Sequence, residues 1–95
     1  MRGHEQAGKR PVLIISHDVF NERSGTVIAL AITSKSPAVG LPLAMKIESV
    51  KLPKPSWVKI SQIRTLATER LGKKLARISP EELAQIIEGL FELMA

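Results

Sequence analysis

Residues 3–16 read GHEQAGKRPVLIIS, a polar, glycine-punctuated stretch that passes without a linker into an apolar run. Gly3 and Gly8 permit backbone angles that other residues resist, which suits a tight loop or a close approach to a ligand. Pro11 fixes its own φ and pushes Arg10 into an extended conformation, so the guanidinium is delivered at a defined angle. Val12-Leu13-Ile14-Ile15 is uninterrupted apolar and mostly β-branched, as expected of a strand buried on both faces. The reading is a polar loop feeding a core strand, with an arginine at the junction where an anion could be held.

Working outward, Ser16–Gly25 (SHDVFNERSG) is rich in turn formers and reads as a hairpin loop. Thr26–Thr33 (TVIALAIT) is a second β-rich segment, and Thr33 sits where it opens into a Ser/Pro/Gly loop over 34–40. Residues 43–48 (LAMKIE) alternate apolar with small or charged residues, the mark of a half-buried strand. Residues 49–56 carry two prolines and two lysines and read as a surface loop. Trp57–Ile60 and Ile63–Leu66 look like one strand interrupted by Ser61-Gln62, and Gly72–Ile78 like a last short strand. Ser79-Pro80-Glu81-Glu82 then starts a helix, with serine as N-cap, proline at the first position and a glutamate placed to close a capping box. Leu83, Ile86, Ile87, Leu90 and Met94 recur at helical spacing as one apolar stripe. Short strands at regular spacing followed by one helix predict a mainly β (β-rich α+β) domain. Its architecture is a small twisted barrel over 1–78 and a helix over 79–95.

Composition narrows the function classes. Ninety-five residues make one domain, which buries roughly 60–65% of its unfolded surface. The chain has no cysteine, which excludes a disulfide framework and thiolate metal sites and fits a reducing cytoplasm. It has no apolar run of membrane-spanning length and no signal-peptide pattern at its start. Residues 1–78 hold all 14 Lys/Arg and 5 Asp/Glu, a charge of +9, whereas 79–95 hold 4 glutamates and no base, a charge of −4. A basic body of this kind suits a polyanion such as RNA, DNA or an acidic partner segment. The three aromatics, Phe20, Trp57 and Phe91, are too few for a base-stacking platform. No Walker loop, H-E-x-x-H, nucleophile elbow or acidic cluster with metal spacing is present.

Three residue types in this pattern suit phosphodiester chemistry without a metal or cofactor. A 2′-hydroxyl attacks its neighbouring phosphate when its proton is removed, the leaving 5′-oxygen is protonated and the charge on phosphorus is stabilised. Arg10 fits the last task, because arginine stays charged and forks onto two phosphate oxygens. Thr33 offers a hydroxyl to a phosphate oxygen or to the 2′-hydroxyl. His4 belongs to the residue type that exchanges protons near neutrality.

The pattern G-x-E-Q-x-G-x-R-P ahead of a strand resembles the signature loop of the MazF/PemK toxins, also called Kid and ChpA. It is carried here by Gly3, Glu5, Gln6, Gly8, Arg10 and Pro11. Ala31-Ile32-Thr33-Ser34, Ser61-Gln62-Ile63-Arg64-Thr65 and Ser79-Pro80-Glu81-Glu82-Leu83 are similar to later segments of the same family, so the resemblance spans nearly the whole chain. It implies a Src-homology-3-like barrel of the CcdB/PemK type, a homodimer, and a metal-independent endoribonuclease of a type II toxin–antitoxin pair. That enzyme cuts single-stranded RNA, mRNA included, to 2′,3′-cyclic phosphate and 5′-hydroxyl ends. The implied partner is an antitoxin with a flexible acidic segment, DNA being reached only through that antitoxin; no membrane is involved and the location is cytoplasmic. Residue by residue, the resemblance assigns Arg10, Thr33 and His4 to catalysis. It assigns Glu5, Gln6, Lys9, Lys59, Ser61, Gln62 and Arg64 to the RNA-contacting surface, with Glu5 and Gln6 also fixing the loop by hydrogen bonds. Two departures stand out. The family's strand ahead of G-x-E-Q is missing from this sequence, and Lys59 and Ser61 stand where some members carry an arginine–aspartate acid/base pair. Both keep an alternative open, a non-catalytic binding module such as the CcdB toxins, which grip gyrase on the same barrel, or an inactive shortened relic.

Overall fold

A computed structural model describes the backbone of residues 3–7 and the whole of residues 10–94. Six strands, β1 (Gly3–Ala7), β2 (Arg10–Ile14), β3 (Thr26–Thr33), β4 (Ala44–Lys46), β5 (Trp57–Ala67) and β6 (Leu71–Ala76), form one sheet in the order β4-β5-β3-β2-β1-β6. Every pairing is antiparallel. Among the described residues two α-helices, α1 (Asp18–Ser24) and α2 (Pro80–Met94), and a short 3-10 turn over Thr68–Arg70 complete the fold. Among the described residues no helix is long and apolar enough to cross a membrane.

The first correction falls on residues 3–7. No described strand precedes GHEQA, but GHEQA is itself a strand and not a loop. It runs in register with β2 from Gly3 opposite Ile14 to Ala7 opposite Arg10. Its composition hides this, because it lacks apolar alternation. The ladders supply the order instead, with β2 on one side and β6 on the other.

β2 behaves as its run of β-branched residues predicts: Val12, Leu13 and Ile14 are all buried. Leu13 joins Leu30, Ile32, Ile47, Val58, Ile60, Ile78 and Ile86 in a single core. α2 supplies Ile86 to that core, with Leu83 and Leu90 packed against its edge. The predicted stripe is therefore real for two turns and then ends, since Met94 is 72% exposed.

The second correction is α1, where the turn-former content of Ser16–Gly25 suggests a hairpin loop. The one residue that α1 buries is Asn21, so no apolar periodicity could announce the helix. Its inward face is held by polar bonds. The Ser16 hydroxyl donates to Asn21 Oδ1 and accepts the Ile28 backbone N–H at 3.0 Å, tying the helix to β3. Gly25 ends it at φ 69°, a left-handed conformation that glycine adopts at little cost.

The third correction concerns the helix start. The Ser79 hydroxyl accepts the Glu82 backbone N–H at 3.1 Å, as an N-cap should. Glu82 does not return the bond to Ser79. Its carboxylate is buried and takes the Glu48 N–H at 2.9 Å, the Ser49 N–H at 3.2 Å and the Ser49 hydroxyl at 2.6 Å. The Ser79 N–H donates instead to Ser49 Oγ at 2.9 Å. The capping box is closed through a third residue, and in closing it fastens α2 to the loop after β4.

Further along α2, Gly89 is buried where the helix meets β5 and the loop before β4. A Cβ there would lie 3.1 Å from Ile60 Cδ1 and 3.4 Å from the Pro42 carbonyl oxygen. Gly89→Leu is expected to lower stability by about 1–3 kcal/mol through overpacking, measurable by urea denaturation. An unchanged midpoint would mean that the helix does not sit this close.

Candidate nucleic-acid groove

β5 is where the sequence segments around Ser61-Gln62 become a site. Ala31 of β3 pairs with Lys59, but its neighbour Leu30 pairs with Ile63, so Ile60, Ser61 and Gln62 are looped out of that ladder. An odd-numbered insertion exchanges the two faces of a strand beyond it, because side chains alternate with period two. Lys59 points into a groove before the bulge; Gln62, Arg64 and Leu66 point into it afterwards. Without the bulge those places would fall to Ser61, Ile63 and Thr65. The apparent interruption of the strand is thus the device that aims Gln62 and Arg64.

The groove has a volume of about 1020 Å³. Its floor rises from β2 and β3. Val12 pairs with Ala31, and Arg10 and Thr33 lie two residues further along their strands on the same face. Arg10, Val12, Ala31 and Thr33 all line it. β6 contributes Lys73 and Leu75 although three strands separate it from β5, so the sheet curls round on itself as a barrel wall does. The loop between β4 and β5 closes the groove with Lys51, Leu52, Pro53, Lys54 and Ser56. Among the described lining residues six are cationic (Arg10, Lys51, Lys54, Lys59, Arg64 and Lys73) and none is acidic.

Arg10 is exposed at the groove while its strand is anchored by the buried residues that follow it. The Thr33 hydroxyl oxygen accepts the Lys35 backbone N–H at 3.1 Å. That bond fixes the oxygen at the strand end, and the hydroxyl keeps its single proton to donate. A guanidinium fork and an oriented hydroxyl lining one groove have the chemistry to hold a phosphodiester, the one neutralising charge and the other donating a hydrogen bond.

Of the residues singled out from sequence, the groove gathers Arg10, Thr33, Lys59, Gln62 and Arg64. Ser61 is exposed at the bulge and is not among the lining residues. The side chains of His4, Glu5 and Gln6, and Lys9 altogether, lie outside the described residues. Backbone pairing sets His4 opposite Leu13 and Glu5 opposite Val12, the latter a groove residue. Trp57 is half-buried, with Lys46 Nζ 5.8 Å from its ring centroid. Lys51, Lys54 and Lys73 are groove cations that the sequence reading did not single out. Two lysines in one proline-punctuated loop were the available signal for the first pair, but only the fold shows which way that loop leans.

The chain matches the family model described as PemK-like, MazF-like toxin of type II toxin-antitoxin system over residues 1–94. Solved structures share the fold. A mycobacterial endoribonuclease in complex with its cognate antitoxin superposes with a TM-score of 0.82 at 23% identity, covering 99% of this chain and 93% of that one. MazF in a MazE–MazF complex from Deinococcus radiodurans gives 0.83 at 24% identity, with 99% and 93% covered. MazF of the same organism gives 0.77 at 28% identity, with 99% and 84% covered. With the curled six-stranded sheet, the terminal helix and a family match over nearly its full length, the chain belongs to the PemK-like, MazF-like toxins of type II toxin–antitoxin systems.

Proposed function

We propose that this toxin is an endoribonuclease that cuts single-stranded RNA, mRNA included, within the basic groove. The observation that carries the proposal is the meeting of Arg10 and Thr33 on one floor, walled by cations from β5, β6 and the β4–β5 loop with no acid among the described lining residues. The 2′-hydroxyl oxygen attacks phosphorus, the bond to the 5′-oxygen breaks, and the products are a 2′,3′-cyclic phosphate and a 5′-hydroxyl. Arg10 neutralises the charge that grows on the phosphoryl oxygens, where a preorganised donor has its greatest effect. Thr33 donates its remaining proton to a phosphate oxygen. His4 is proposed for proton transfer on the chemistry of its residue type. Lys59, Gln62 and Arg64 hold flanking nucleotides. Glu5, Gln6, Lys9 and Ser61 are proposed to complete that surface. The working form is a cytoplasmic homodimer, silenced when the flexible acidic segment of an antitoxin occupies the same groove.

The test is incubation with a long single-stranded RNA in EDTA, with mass analysis of the fragment ends. Discrete fragments ending in cyclic phosphate are expected, and they report the cut site directly. Intact RNA from a well-folded protein would overturn the nuclease reading and leave a binding module.

A further inference from the structure

The loop between β4 and β5 is built more firmly than a surface loop of two prolines and two lysines requires. Its base is closed by the Ile47 N–H donating to the Ser56 carbonyl at 2.9 Å. Its first turn is held by Glu82 of α2, which takes the Glu48 and Ser49 N–H groups and the Ser49 hydroxyl. Val50 and Leu52 pack against the core, and the Ser56 hydroxyl donates to the Lys54 carbonyl at 3.1 Å. Lys51 and Lys54 flank the anchored Leu52, and both line the groove. A solvated lysine pair needs no such scaffold; a pair that must meet a fixed charge does.

We infer that Lys51 and Lys54 form a second phosphate seat in the groove, binding a phosphodiester that flanks the cleaved one, and that Glu82 is the positioning residue that holds this seat in place through Ser49. The inference rests on the groove being the RNA site and adds to it a subsite made by a loop instead of the sheet. The chemistry recognised is the strand's backbone charge, not a base edge, since ammonium groups act on phosphate as point charges. α2 thereby becomes part of the binding apparatus although it does not itself line the groove.

The experiment titrates a short, mixed-sequence, all-deoxy single strand, which lacks the attacking hydroxyl, against the full chain over a series of salt concentrations. For single strands the logarithm of affinity falls with the logarithm of salt by about 0.7 for each phosphate neutralised. The Lys51→Ala, Lys54→Ala double variant, which loses the one phosphate of this seat, is expected to bind more weakly at low salt with a slope shallower by about 0.7. Ser49→Ala keeps both lysines, so it is expected to bind more weakly with the wild-type slope. In RNA cleavage its KM should rise more than its kcat falls, and Ser49→Thr, which retains the hydroxyl, should restore it. A wild-type slope in the double variant would overturn the seat while leaving the groove reading intact. Wild-type affinity in Ser49→Ala would overturn the positioning role. A wild-type chain that neither binds the strand nor cuts RNA would overturn the groove reading and this inference together.

Discussion

Replacing Arg10 by alanine is expected to slow RNA cleavage by about a hundredfold to a thousandfold or more, the usual cost of removing one preorganised donor from a developing charge. Most of that loss should appear in kcat, because the charge that Arg10 meets grows as the 2′-oxygen bonds to phosphorus. Arg10→Lys keeps the charge but loses the two-pronged geometry, so its rate should fall between the two. The fold should be indifferent. Arg10 is exposed and its strand is anchored by Val12, Leu13 and Ile14, so the melting temperature should stay within about 3 °C of wild type. Single-turnover cleavage beside a melting curve decides the matter. Undiminished cleavage by Arg10→Ala would remove arginine from the chemistry, and a collapsed melting curve would make it structural.

Glu82→Ala is expected to do the reverse and damage the fold most. The carboxylate is 7% exposed and is the acceptor for two backbone N–H groups and a hydroxyl. Removing it leaves those donors in a half-dry environment and frees Ser49, the acceptor for the Ser79 N–H at the helix start. A loss of about 2–4 kcal/mol follows from unsatisfied donors of this kind and broken bonds to a charged group. In a domain of this size that lowers the melting temperature by roughly 10 °C or more. Glu82→Gln preserves the shape and one acceptor oxygen and should lose less. If alanine costs under about 3 °C, the link between α2 and the loop contributes little and the helix is held by Ile86 and its neighbours alone.

These two residues mark what a reading of the sequence reaches. Arg10 is legible because its surroundings are local: a glycine-punctuated approach, a proline after it and a core strand beyond. Thr33 is legible as a strand end, whereas Lys59, Gln62 and Arg64 stand out only through the family resemblance, since Ser61-Gln62 reads locally as a break in the strand. Glu82 was legible as a helix-start residue but not in its partner, since nothing local says that a carboxylate will reach a loop thirty-odd positions earlier. α1 escaped because its buried residue is an asparagine, and periodicity arguments count only apolar faces. GHEQA is not legible as a strand because its letters carry no apolar alternation, and only the pairing on two sides shows its form. Lys51 and Lys54 were plain in composition and silent in direction.

The looped-out residues of β5 carry a consequence for anyone setting this chain beside a relative. Counting by twos along the strand works up to Lys59 and fails after it, because the three residues from Ile60 to Gln62 swap inside for outside. Two toxins that match letter for letter beyond this point present different chemistry to RNA if their bulges differ by one residue. They present the same chemistry if the bulges differ by two. Parity, and not position, is the quantity two such strands must share before their residues are equated.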